Sequence, residues 1–261
     1  MIDSKSMIYN SGIYKSRFFD EFLDKIKSKN SILIDDILDP EISFLTTFLN
    51  HTLKKDILII STDRRKDLLY KNLSSFNDNL LEFLSWETLP FEEIKPSLDI
   101  IGQRFDTLNK LQVSKKNNLL ICTLHSLLQK IIPSDVLKDL SLHLKINESH
   151  DFDNLIKKLV HLGYKKETLV SDKAQFATRG YIIDIFPTNQ DHPYRIEFFS
   201  DEIESIRTFD LETQKSVERK KSVDIFLADE LKFLKEEKNP ANISSYLKDD
   251  FLVIFDDLYQ V

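Results

Sequence analysis

The side chains of this chain that are able to do chemistry are scattered along the sequence. Its six histidines show no HxH or HExxH spacing, and the one cysteine, Cys122, has no thiol partner. Carboxylate pairs such as Asp35-Asp36 and Asp256-Asp257 have no neighbouring base or nucleophile that would orient them for proton transfer. These patterns predict neither a metal site nor a catalytic site.

Nucleotide binding would require a glycine-rich loop, because only such a loop lets backbone N–H groups surround phosphates. The four glycines, Gly12, Gly102, Gly163 and Gly180, lie too far apart to build a Walker A or GxGxxG motif. The connection where a phosphate loop would fall is the acidic segment 35–40, which repels phosphate. We therefore expect no cofactor and no ATPase activity in this segment.

Composition indicates an ordinary globular chain without a nucleic-acid-binding domain. Of the 261 residues, 41% are hydrophobic and 30% charged, and the net charge is -7, so disordered and fibrous classes are excluded. Short basic runs such as Arg219-Lys220-Lys221 are expected to be solvated. No stretch has the length of a signal peptide or membrane span, so we expect a cytoplasmic protein with no membrane partner.

Hydrophobic periodicity predicts an α/β fold in which a smaller α+β lobe is inserted. Strand and helix patterns alternate over residues 1–133, which favours a parallel sheet. The predicted strands of this first lobe lie at 31–34, 56–60, 79–84 and 119–123, and the predicted helices at 15–28, 42–53, 63–76, 96–111 and 124–131. Cys122 is expected to be a small buried strand residue.

A second lobe is predicted over residues 134–222. It would contain a helix that begins after Asp151 and ends near Gly163, followed by strands at 180–186, 194–199 and 202–210 and a polar turn at 211–221. Residues 223–261 would return to the first lobe with a core strand at 251–255. Because the chain stops just after that strand, we expect it to be part of a longer protein.

Two stretches resemble a known family. The segment Trp86 to Phe91, continued by Asp99 to Arg104, is similar to the connecting segment of the UvrB-like region of bacterial transcription-repair coupling factors, the Mfd family. The segments from Ala177 to Pro187 and from Tyr194 to Asp210 resemble the domain that UvrB and this family use to dock UvrA. The resemblance covers most of the chain and is strongest over residues 86–210.

The resemblance implies a degenerate P-loop-NTPase-like sheet lobe with an inserted UvrA-docking lobe, that is, domains 1a, 2 and part of 1b of the family. It implies a UvrA-recruiting module of nucleotide excision repair. Full-length family members are ATP-dependent DNA translocases that also bind RNA polymerase and DNA, through regions absent here. Two alternatives stay open, namely a UvrB-type protein that binds ATP and damaged DNA, and a stand-alone competitor of UvrB for UvrA.

The resemblance also assigns UvrA contacts to Arg179, Arg195 and Phe199, with Glu202 and Arg207 as weaker candidates at the rim. Strand alternation places Arg195 and Phe199 on the face opposite to the core. Arginine and aromatic residues are frequent interface anchors. The purely structural alternatives are a salt bridge that holds a turn for Arg179, and an ordinary core contact for Phe199.

Overall fold

The computed structural model describes residues 17–29, 31–88 and 95–257, which form two compact units. The first unit contains the described residues up to 81, residues 116–121 and those from 250 onwards, and the second contains 82–115 and 122–249. The predicted lobe boundaries at residues 133 and 222 stay predictions. The predicted motif 86–91 lies partly outside the described residues, from position 89.

Helices and strands alternate along the described part of the chain. Its α-helices are α1 (Arg17–Ser28), α2 (Asp39–Leu53), α3 (Asp63–Ser74), α4 (Leu98–Val113), α5 (Leu124–Leu128), α6 (Ser134–Leu137), α7 (Phe152–His161) and α8 (Glu230–Glu236). Its strands are β1 (Ile57–Ser61), β2 (Leu80–Phe83), β3 (Leu119–Thr123), β4 (Ser141–Lys145), β5 (Lys165–Lys166), β6 (Gln175–Arg179), β7 (Ile182–Ile185), β8 (Tyr194–Phe199), β9 (Glu202–Phe209), β10 (Ser216–Lys220), β11 (Ser222–Phe226) and β12 (Leu252–Phe255).

A four-stranded sheet in the order β12-β1-β3-β2 organises the first part of the fold. Strands β1 and β12 run parallel, with Ile57 opposite Leu252 and Ile60 opposite Phe255. All five residues of β1 and of β3 are buried, which is why both strands read as apolar runs up to their last residue, Ser61 or Thr123. Cys122 in β3 is buried as predicted, and desolvation raises the pKa of its thiol to about 12.

The predicted strand at 31–34 is wrong. These residues have no regular secondary structure, and the Leu33 side chain is 64% exposed. An apolar run forms a strand only where a neighbour satisfies its backbone, and no described strand pairs with this segment. The predicted core strand at 251–255 is an edge strand among the described residues, with Val253 and Phe255 exposed.

The second unit is built on a six-stranded sheet in the order β10-β9-β8-β7-β6-β5. Neighbouring strands from β6 to β10 are antiparallel, whereas β5 and β6 are parallel. Helix α7 begins at the Asp151 cap as predicted, and Gly163 follows its end with a φ of +89°. Phe152 of this helix contacts the buried Phe198 edge-on, with ring centroids 5.3 Å apart, so α7 covers the apolar face of the sheet.

Two details of the second sheet differ from the sequence prediction. The predicted strand 180–186 is shortened to β7, because Gly180 (φ +56°) and Tyr181 form a turn from β6. The predicted turn 211–221 contains the edge strand β10, which continues the sheet beside β9. Exposed polar strands at an edge carry no apolar alternation, so their sequence resembles that of a turn.

A buried arginine joins α4 to α8 within the second unit. Arg104 and Glu230 are both 0% exposed, and the guanidinium donates from Nε and Nη2 to the two Glu230 oxygens at 3.0 and 3.1 Å. Nη1 donates to the Leu84 carbonyl at 2.6 Å. The guanidinium lies over the Phe83 and Trp86 rings, at 4.3 and 4.9 Å, and Trp86 Nε1 donates to Glu230. Trp86, the first residue of the predicted motif, is therefore anchored by a buried ion pair.

Gly102 of α4 packs directly against the loop that follows β7. A Cβ atom at this position would lie 2.2 Å from the Thr188 carbonyl oxygen and 2.7 Å from the Asn189 amide nitrogen. From the same loop, the Thr188 oxygen accepts a hydrogen bond from Lys173 Nζ at 3.2 Å. The helix approaches this loop so closely that only glycine fits.

No described helix is long and apolar enough to cross a membrane.

Candidate docking surface

The predicted docking residues lie on one face of the six-stranded sheet, opposite to the face that α7 covers. Strand register places Asp184, Arg195, Arg207 and Arg219 in one row across β7 to β10, because cross-strand partners share a face. We call this side the polar face, and its members are Arg179, Asp184, Arg195, Glu197, Phe199, Glu202, Arg207 and Arg219.

Arg195 is held firmly on the polar face. Its Nε and Nη2 donate to the two oxygens of the buried Asp184 at 2.7 and 2.8 Å, and Nη1 donates to the Gln214 carbonyl at 3.2 Å. The guanidinium lies 4.8 Å above the Phe209 ring and the side chain is 17% exposed. The bond to Asp184 raises the pKa of Arg195 despite partial desolvation. Most of its donors are therefore already used.

Arg179 presents a more accessible cation at the end of β6. Its side chain is 57% exposed, and Nη2 lies 3.8 Å from Asp184 Oδ2, which is too long for a hydrogen bond. Exposed ion contacts of this kind contribute little to stability. The alternative of a salt bridge that holds the turn therefore rests on this one long contact, and most of the Arg179 donors face solvent.

Phe199 is the exposed aromatic residue of this surface. It ends β8 with a side-chain exposure of 77%, whereas its neighbour Phe198 is buried. The alternative that Phe199 is an ordinary core residue is therefore wrong. Ser200, with a φ of +56°, follows it in the turn to β9.

A second exposed aromatic residue, Tyr181, was not among the predicted site residues. It is 62% exposed, and its carbonyl accepts a hydrogen bond from the Phe198 amide at 2.9 Å, so it lies at the same end of the sheet as Phe199. Its ring contacts Phe152, with centroids 5.7 Å apart. The available signal was the position of Tyr181 directly after Gly180, because residues in the connection between two strands usually lie at the surface.

The two rim candidates differ in how they are held. Glu202 lies opposite Phe199 at the start of β9 and is exposed. Arg207 is 28% exposed and forms an ion pair with Glu197, which also accepts a hydrogen bond from Ser205 at 2.8 Å. The structure thus places all five predicted site residues on one surface. Their role as contacts stays a prediction.

A separate ion-pair cluster occupies the carboxyl ends of the parallel strands β1 and β12. Arg65 donates to both oxygens of the buried Asp256, at 3.1 and 3.0 Å, and to Asp39 at 2.5 Å. Ser61 also donates to Asp256, at 2.7 Å. Ligands of parallel α/β sheets usually bind at these strand ends. Here the partly exposed Arg65 guanidinium pairs with both carboxylates, and the described residues offer no cluster of acidic, histidine or cysteine side chains for a metal ion.

Both the segment that carries the polar face and longer stretches of the chain match known proteins. Residues 142–231 match the family profile of the UvrB interaction domain. Transcription-repair-coupling factors of Escherichia coli and Staphylococcus aureus are 33% and 35% identical over 176 and 188 residues, or 67% and 69% of this chain. The factor of Myxococcus xanthus is 28% identical over 86% of it.

The chain spans a small part of these relatives, because the matched regions cover 15% of the E. coli and S. aureus proteins and 19% of the M. xanthus protein. The UvrB interaction domain contains the whole polar face, and the wider matches extend beyond it along the chain. The chain therefore belongs to the transcription-repair-coupling factor family and corresponds to its N-terminal, UvrB-like region.

Proposed function

We propose that this chain is a protein-docking module that binds UvrA through the polar face and recruits it to nucleotide excision repair coupled to transcription. The exposed Phe199 carries the proposal, because it is a large apolar side chain beside an accessible arginine, Arg179, on a UvrB interaction domain. Desolvated aromatic and arginine residues contribute most of the binding free energy at many interfaces. Contacts with RNA polymerase and DNA by the larger relatives, and a cytoplasmic location, stay predictions.

The three main candidate residues differ in their exposure and in their partners within the chain. Phe199 and Arg179 are exposed, so we assign them to direct contact with UvrA. Arg195 uses its donors on Asp184 and Gln214, so its removal would leave the buried Asp184 carboxylate without its main partner. An Arg195 variant therefore tests folding and binding together, whereas Phe199 and Arg179 variants test binding alone.

Replacing Phe199 by alanine is expected to weaken UvrA binding about 30-fold or more, which corresponds to the roughly 2 kcal/mol of an interface hot spot. The measurement is a calorimetric titration of the purified chain with UvrA. Because Phe199 is 77% exposed, the thermal unfolding midpoint should not fall. The matched control is Val160→Ala, which truncates an exposed apolar residue of α7 and should leave the affinity unchanged. Unaltered affinity of Phe199→Ala would contradict the assignment.

We also propose that this segment does not bind ATP. The alternative of a UvrB-type protein requires ATP binding, so this proposal and that alternative exclude each other. The proposal is supported by the lack of a glycine-rich loop and by Arg65, whose guanidinium is already paired with Asp256 and Asp39 at the strand ends. Titration with ATP and Mg²⁺ is expected to give no saturable heat. Saturable binding that Arg65→Ala alters would favour the alternative.

A further inference from the structure

Three arginines lie side by side across the polar face. Arg195 of β8 is the cross-strand partner of Arg207 of β9, and Arg207 is the partner of Arg219 of β10. Like charges directly opposite each other in a sheet destabilise it. The row therefore costs folding free energy unless carboxylates compensate each arginine.

The carboxylates that compensate these arginine charges become fewer towards the β10 edge of the sheet. Arg195 has both oxygens of Asp184, and Arg207 has Glu197. The Arg219 side chain is exposed and forms no hydrogen bond or ion pair with any described residue. The Nε atom of Arg207 is buried and has no acceptor among those residues either. Unused donors thus accumulate at the β9–β10 side of the polar face.

We propose that Arg219, together with Arg207, is a second anchor of the polar face that binds carboxylates on the surface of UvrA. The inference rests on the proposed function and extends it to a residue of the short basic run 219–221, which the sequence alone indicated as a solvated face. A partner carboxylate would satisfy the exposed donors of Arg219 and relieve the repulsion along the row, since guanidinium–carboxylate bonds are strong and directional.

The spacing of the two anchors suits one protein interface. Arg219 lies two strands from Arg195, so the two residues are about 10 Å apart at the usual strand spacing. Phe199 lies four residues from Arg195 along β8, or about 13 Å. A patch of this size fits within the roughly 800 Å² that each partner contributes to a standard complex.

The charge pattern favours a protein over a nucleic acid as the partner. Asp184, Glu197 and Glu202 lie among the arginines of the polar face and would repel a phosphate backbone. The exposed Phe199 supplies an apolar contact that the side of a DNA duplex cannot use. An acidic surface with an apolar pocket, on UvrA, matches both features.

Association kinetics test this anchor. UvrA binding is measured at several salt concentrations for the wild-type chain, Arg219→Glu and Phe199→Ala. Arg219→Glu is expected to slow association with UvrA about tenfold at low salt. It should also make the association rate less dependent on salt, because charges at the rim of an interface act mainly on that rate. The matched control is Lys157→Glu, the same charge change on α7, which covers the opposite face, and it should associate like the wild type.

A second readout comes from the stability of the chain without UvrA. If Arg219 repels Arg207, Arg219→Ala should raise the thermal midpoint by about 1–3 °C while it slows association. A lower midpoint would contradict the repulsion on which the inference rests.

The outcomes separate the two proposals. Normal association of Arg219→Glu, with binding lost in Phe199→Ala, would overturn the second anchor and leave the docking function standing. Unchanged affinity in Phe199→Ala would overturn the docking function itself. If Arg219→Glu loses affinity for duplex DNA and keeps its rate with UvrA, the partner of Arg219 is a phosphate backbone and the inference is wrong.

Discussion

Replacing Glu230 by glutamine is expected to lower the free energy of unfolding by about 3–5 kcal/mol, because it leaves a buried charge without its partner. Arg104 is 0% exposed and both of its carboxylate bonds go to Glu230. Denaturant unfolding measures the loss. Glutamine keeps the shape and retains an acceptor for Trp86, so the change reports mainly on charge. This loss is a large fraction of the 5–15 kcal/mol that stabilises a typical domain.

Two variants show whether burial of the charge is the cause. Glu21→Gln removes a carboxylate from the exposed Arg17–Glu21 pair of α1 and should cost less than about 0.5 kcal/mol. The double variant Arg104→Met with Glu230→Gln removes the uncompensated charge and should recover most of the stability. A Glu230→Gln cost as small as that of Glu21→Gln would show that water reaches Arg104.

Substituting alanine for Gly102 is expected to destabilise the chain by about 3 kcal/mol, although alanine is the better helix former. Helix propensity alone predicts a gain of roughly 1 kcal/mol. The added Cβ, however, would meet the Thr188 carbonyl at 2.2 Å, and both contacting groups are backbone, so α4 or the loop after β7 has to move. The sign of the change therefore distinguishes close packing from local propensity.

The neighbouring residue provides the control for Gly102. Gln103 is on the same helix and exposed, so Gln103→Ala should change the unfolding free energy by less than about 0.5 kcal/mol. If Gly102→Ala unfolded like Gln103→Ala in denaturant, helix α4 would not rest on Thr188 as described.

The sequence predicted the elements that bury continuous or alternating apolar residues. The runs in β1 and β3 are apolar up to their last residue because both faces are covered, and the alternation of β8 correctly separated Arg195 and Phe199 from the core. Such patterns reflect local burial, which a single segment carries within itself. They also located Phe199 on the surface without knowledge of its neighbours.

Pairing between distant segments could not be predicted from the sequence. Nothing local distinguishes 31–34, which is exposed, from β1, because both are short apolar runs. The partnership of Arg195 with Asp184 follows from strand register, which adjacent residues do not encode. Arg104 was not predicted to be buried, because a charged side chain is seldom buried unless a partner is present, and its partner lies 126 residues away.

The parallel pairing of β1 with β12 has a consequence for synthesis. Ile57 and Leu252, which pair in the sheet, leave the ribosome about 10–40 s apart at the usual rate of roughly 5–20 residues per second. Strands β6 to β10 all emerge within that interval, and they pair with sequence neighbours, which favours rapid folding. The polar face can therefore form on the nascent chain while one edge of β1 still awaits its partner, so a chain interrupted between residues 231 and 252 would already display its docking surface.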